Sequence, residues 1–138
     1  MSPAEGVSKV SRLVDLASIP PFEVWGDAVR ARKVEGERVT LAVVELAPGS
    51  GVPEHHHPAE QLGICIQGEM TFTIDGQTRT FGPGGTWRIP SGVPHEVVVG
   101  PDGAIAIDVF SPIRDDWTFP MLEPQPTVWP RPTTRPTE

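Results

Sequence analysis

Apolar and polar positions alternate with a period of two over much of this chain, the spacing that sends successive side chains to opposite faces of a strand. Over residues 37–46, Val39, Leu41 and Val43 share one face and Thr40, Ala42 and Val44 the other. Further strands are predicted at 24–25, 29–35, 62–67, 69–74, 78–81, 86–89, 96–99 and 104–110. Between them stand the turn signals Gly26-Asp27, Gly68, Asp75-Gly76, Gly82-Pro83-Gly84-Gly85, Pro90-Ser91-Gly92 and Gly100-Pro101-Asp102-Gly103. Asp75-Gly76 is the sharpest of these, a two-residue hairpin connection. Eight or more short strands at this spacing predict an all-β jelly-roll barrel or sandwich. Helical spacing is confined to residues 9–16, with apolar side chains at 10, 13, 14 and 16, and Pro20-Pro21 ends that segment.

From Ser111 the pattern breaks. Prolines at 112, 120, 124, 126, 130, 132 and 136 predict extended, polyproline-like backbone. Trp117, Phe119 and Trp129 predict that part of this tail packs on the barrel or on a partner chain. Residues 131–138 are expected to be disordered. The organisation expected is a segment at 1–21, a barrel at 22–117 and a proline-rich tail at 118–138.

At 138 residues the chain makes one domain. Its 17 Pro and 14 Gly exclude a helical bundle and suit short strands joined by turns. Eighteen acidic residues against 11 basic ones, net −7, exclude a nucleic-acid partner and an anionic membrane surface. No apolar run is long enough to span a bilayer, and no signal-peptide core is visible. A single cysteine, Cys65, excludes an internal disulfide and predicts a cytoplasmic protein.

Candidate chemistry sits in two clusters that hold all four histidines. His55 and His57 project from one face of an extended strand, and His56 points away from them. A turn at Pro58-Ala59 would return the chain and set Gln61 beside the pair, and His95 would come in from a separate strand. Three neutral imidazoles and an amide oxygen make a transition-metal site with open positions, the form catalytic centres take. Gln61 is neutral, so the ion would keep its full charge and act as a strong Lewis acid. Its identity among Fe, Ni, Mn, Zn, Co and Cu is left open by this ligand set. On the predicted strand 104–110, Asp108 and Phe110 share a face with the small Ala104 and Ala106. Asp108 is therefore a candidate general acid/base or a partner to a metal-bound histidine. Arg114 would reach back to clamp a substrate carboxylate. The alternative for Asp108 and Arg114 is a structural ion pair on the barrel rim.

These residues resemble the cupin superfamily. Gly49, His55, His57, Gln61 and Gly68 meet every spacing of its first motif, and Gly84, Pro90, Gly92 and His95 those of its second. Val99 stands where an Asn often follows. The resemblance implies an antiparallel barrel around one divalent metal ion held by His55, His57, Gln61 and His95. The Asp108, Phe110, Arg114 pattern is similar to the KdgF-like small cupins of pectin and alginate breakdown, which linearise unsaturated uronates. That likeness implies an enzyme in which Asp108 shuttles protons, Phe110 packs on the sugar ring and Arg114 binds its carboxylate. Alternatives are an oxygenase, a cyclase, isomerase or lyase of a small aromatic or polyketide-like substrate, or a ligand-binding module without turnover. Leu62, Ile64 and Ile66 face away from the expected cavity and need a cover, which predicts a homodimer or, failing that, the N-terminal segment. Cys65 either lines the pocket or is a buried inert thiol. Trp25, Trp87 and Arg88 either line its mouth or pack.

Overall fold

The computed structural model describes residues 12–132. Eight strands follow one another: β1 (Phe22–Glu23), β2 (Val29–Glu35), β3 (Thr40–Leu46), β4 (Gly51–His55), β5 (Glu60–Ile74), β6 (Gln77–Phe81), β7 (Thr86–Ile89) and β8 (His95–Ser111). All named pairings are antiparallel, along the path β1-β2-β3-β8-β5-β6 with β4 on β8 and β7 on β5. The fold is an all-β antiparallel barrel of jelly-roll type, as the alternation predicts. Two long strands run through it. β8 pairs with β4 through its first half and with β3 through its second, while β5 lies along both halves.

Several boundaries differ from the expected ones. Gly68 does not separate two strands, and Gly100-Pro101-Asp102-Gly103 is not a turn; both lie inside continuous strands. The physical reason is a close backbone approach: a Cβ on Gly68 would strike the Gly103 carbonyl, and β5 shifts register on either side of that point. Glycines there mark a bulge rather than a reversal. Asp75-Gly76 is the hairpin turn expected, with φ values of 49° and 81°. The extended strand expected to carry both His55 and His57 is β4, but it ends at His55 and leaves His57 beyond it. The predicted strand at 24–25 is displaced to Phe22–Glu23, with Trp25 bridging to Asp27. Of the helix expected at 9–16, residues 12–15 are not helical; a single 3-10 turn follows at Leu16–Ser18, and residues 9–11 lie outside the described part.

Inward-facing Val29, Ala31, Ala42, Val44, Met70 and Ile89 form the core with Phe72 and Val97. Each fully buried Met70 or Ile89 side chain contributes about 1.5–3 kcal/mol of burial free energy. Through residue 132 the tail forms no helix or named strand, and part of it packs on the barrel as expected. Met121 bridges to Phe22, Trp117 is buried, and Phe119 stacks on Phe22 at 6.0 Å between ring centroids. Arg32 gathers the segments on the outer face of β2. It donates to the carbonyls of Ile19 (2.9 Å) and Gln125 (2.8 Å) and pairs with Glu45 at 2.9 Å. Most of the stretch expected to be disordered, residues 133–138, lies outside the described part.

Candidate metal centre and cavity

The strand pairing explains how distant residues converge. His55 ends β4 and His95 opens β8, and the two are direct cross-strand partners. His57 follows in the bend before β5, tied to the second motif by the Gly92 N–H, which donates to the His57 carbonyl at 2.9 Å. Gln61 enters at the start of β5. The ring centroids of His55, His57 and His95 lie 4.2–5.8 Å apart, and their candidate ligand atoms fall within 4.8 Å of one another. His56 is exposed and points elsewhere.

Each Nδ1 lies 2.8 Å from a backbone carbonyl, of Pro53, Ala59 and Val93 respectively. A carbonyl only accepts, so Nδ1 carries the proton and every Nε2 presents a lone pair. Burial disfavours the charged ring in all three, lowering His55 and His57 and taking His95 down to about 4. The imidazoles are therefore neutral at pH 7, as ligation requires.

The donor set fits a cation. Nε2 of His95 is buried with no hydrogen-bond partner. Nε2 of His57 faces Oε1 of Gln61 at 3.1 Å, two lone pairs directed at each other. Turning the amide over would only move the conflict to its other end, where Gln61 Nε2 donates to Asp108 Oδ1 at 2.8 Å. A positive ion among these acceptors removes the repulsion.

Asp108 is buried, and its Oδ1 also accepts from the indole Nε1 of Trp87 at 2.7 Å. Burial, the dominant cause, raises its carboxyl to about 6, against the opposing effects of the Gln61 and Trp87 hydrogen bonds and the Arg114 charge. Arg114 does not pair with Asp108, so the ion-pair alternative is not what forms. Its Nε and Nη2 donate to the two carboxylate oxygens of Asp116, both at 2.9 Å. The guanidinium lies 4.7 Å from the Phe110 ring centroid and 4.5 Å from that of Trp117, and Thr40 Oγ1 accepts the Arg114 backbone N–H. Phe110 is buried, its ring edge-on to His57 at 5.8 Å.

The three imidazoles, Gln61, Asp108, Phe110, Arg114, Asp116 and Trp117 line one cavity of about 300 Å³, and Trp87 and Thr40 lie outside it; its inner wall is apolar: Val44, Leu46, Val52, Met70, Phe72 and Val97. Trp25 stands at its rim, 5.1 Å from the His55 ring. Cys65 is buried outside this lining, so it is the inert thiol rather than a pocket residue. Arg88 is exposed on the outer face, across from Leu62. Asp116 and the contact of Trp87 with Asp108 escaped the sequence reading. A usable signal existed for the second, since glycine at position 63 inside a strand marks a close approach.

The Cupin domain model matches residues 42–110. The pectin degradation protein KdgF of Dickeya dadantii (strain 3937) is 27% identical over 99 residues, 70% of this chain and 90% of that protein. Among solved structures, KdgF from Halomonas sp. superposes with a TM-score of 0.64 at 24% identity, covering 69% of this chain and 88% of that one. An RmlC-like cupin from Shewanella frigidimarina NCIMB 400 gives 0.69 at 24% identity, covering 77% and 96%. The motif matched by that family model holds all three imidazoles and Asp108, and the chain belongs to the cupin family.

Proposed function

We propose that this chain is a metal-dependent enzyme that isomerises a small unsaturated acid by proton transfer, with a 4,5-unsaturated monouronate as substrate. The observation that carries the reading is a proton-active carboxyl, Asp108, placed in the same cavity as three neutral imidazoles and hydrogen-bonded to the amide beside them. His55, His57, His95 and the Gln61 oxygen would hold one divalent transition-metal ion, which when bound polarises a carbonyl or hydroxyl oxygen. Asp108 takes the proton of the hemiacetal hydroxyl as the C1–O5 ring bond breaks. It returns that proton to C4 as the resulting enolate becomes a ketone. Atoms balance without an oxidant. Arg114 carries Asp116 on its Nε and Nη2, which leaves Nη1 for the substrate carboxylate. Phe110 gives the sugar ring an apolar floor beside His57. The name of the Dickeya relative, a pectin degradation protein, supports this substrate class.

The test is anaerobic. Metal-loaded protein is mixed with unsaturated galacturonate and guluronate, and loss of the ultraviolet absorbance of the conjugated acid is followed. Turnover is expected; unchanged absorbance for both sugars rejects the uronate reading. The apolar inner wall favours a second reading, isomerisation or cyclisation of a small aromatic substrate. Oxygen uptake coupled to substrate loss would instead make the protein an oxygenase.

The partner proposed is a second copy of this chain. Leu62 and Ile64 remain 47% and 37% exposed, and they pair across the sheet with Val109 and Ile107 to make one apolar outer face. Of the N-terminal segment expected as an alternative cover, Ile19 is held elsewhere, its carbonyl accepting from Arg32 on the face of β2. Among the described residues no helix is long and apolar enough to cross a membrane. A cytoplasmic location is part of the same proposal, in keeping with the lone unpaired thiol.

A further inference from the structure

We propose that Trp87 is a positioning residue for the metal centre: acting through Asp108, its indole N–H keeps the oxygen rather than the nitrogen of the Gln61 amide turned toward the three imidazoles. The proposal rests on the metal reading above. The two ends of a glutamine amide are nearly the same size, so packing alone does not choose between them. Hydrogen bonding does. Asp108 Oδ1 accepts from Trp87 Nε1 at 2.7 Å and from Gln61 Nε2 at 2.8 Å, which commits the amide NH2 to the carboxylate and frees Oε1 to face His57. An indole can only donate, so Trp87 holds this oxygen in its accepting role and fixes the carboxylate rotamer.

The contact is built across a third strand. Trp87 on β7 and Asp108 on β8 are both cross-strand partners of Gly63 on β5. A Cβ at Gly63 would overlap the Trp87 indole and the Asp108 carboxylate alike, so the missing side chain is the opening through which they meet. The indole packs in a three-ring cluster with Phe72, at 4.6 Å, and Phe81, near-parallel at 5.7 Å and 4°, whose own centroids are 6.0 Å apart. Trp87 does not line the cavity. Its link to the site is the hydrogen bond to Asp108, so its effect there passes through that carboxylate.

Trp87→Phe keeps a ring in the stack and removes only the donor. Titration with Co(II), followed by visible absorption, is expected to show about tenfold weaker binding and an altered ligand-field spectrum, the size of effect typical for residues behind a metal ligand. In a Gln61→Ala background the same change is expected to have no further effect, because there is no amide left to orient. Equal weakening in both backgrounds means a general packing defect and overturns the proposal, as does unchanged affinity in the single variant. Should Trp87→Phe not fold, the indole N–H resonance of Trp87 in the unmodified protein carries the test. It is expected to exchange slowly and to shift on adding Zn(II), and a signal that exchanges freely and does not move overturns the idea. Failure of the unmodified protein to bind Co(II) at all is a separate outcome, which removes the metal reading together with this inference.

Discussion

His95 carries the heaviest proton penalty of the three imidazoles, and the consequence shows first in the metal-free protein. An unfolded histidine titrates near 6.5, whereas burial holds His95 down to about 4 and lowers His55 and His57 in the same direction. As pH falls below 6.5 the unfolded chain takes up protons that the folded chain refuses, so stability falls. Asp108 acts in the opposite sense: its carboxyl, raised to about 6, protonates in the fold before the unfolded value of 3.8 is reached, adding stability as pH falls through that window. Three imidazoles outweigh one carboxyl. The melting temperature of the apoprotein is therefore expected to drop between pH 7 and pH 5, and a flat profile would show that the rings protonate normally. Asp108→Asn separates two roles of one residue. The Asn oxygen still accepts from Trp87 and Gln61, so Co(II) affinity should stay within a few-fold, while turnover falls by about 10²–10⁴ for loss of the proton carrier. Loss of metal binding in that variant would show that the negative charge, not the hydrogen bonding, holds the site.

Strand register decides which of these side chains meet. The quartet His55, His57, Gln61 and His95 was legible in the sequence because its parts are local: a two-residue spacing on an extended segment, a Pro58 bend, and a second Pro-x-Gly turn ahead of His95. The Trp87–Asp108 contact was not, since it joins residues 21 apart through a glycine on a third strand. Nor was the pairing of Arg114 with Asp116, because charge pattern alone leaves Asp108, Asp115 and Asp116 equivalent. Gly63→Ala tests the register argument directly. The added methyl must displace either the indole or the carboxylate, at a cost of about 1–3 kcal/mol. A lower melting temperature and weaker metal binding are expected together, and a variant as stable as its parent would mean that β7 and β8 are further apart than described.

At the scale of the whole molecule, two surfaces hold the barrel in its final form. On the outside of β2 the buried Arg32 satisfies the backbone carbonyls of Ile19, Gln125 and Pro126 and the Glu45 carboxylate, and Glu45 in turn accepts from the Val128 N–H at 3.2 Å. Replacing one member of such a pair leaves a charge without its partner, and Arg32→Met is expected to cost about 3 kcal/mol and to open the tail to proteolysis. Resistance equal to that of the parent chain would mean that the tail is held by Trp117 and Phe119 instead. On the face of β5 and β8 the apolar side chains Leu62 and Ile64 remain open to a partner. Ile64→Glu should convert a dimer into monomers by light scattering, and a parent protein already monomeric would show that this face has another use.

The sequence by itself determined the fold class and the convergence of His55, His57 and His95 with Gln61. Period-two alternation specifies strands, and each histidine motif carries its own turn, so both follow from interactions a few residues long. Only the tertiary structure decided the tautomer of each imidazole, the orientation of the Gln61 amide and the partner of Arg114. Those depend on which carbonyl, indole or carboxylate lies opposite across the sheet, and that is set by register and by bulges at glycine contacts such as Gly68 with Gly103. Such pairings join residues far apart in the chain, where local pattern carries no information.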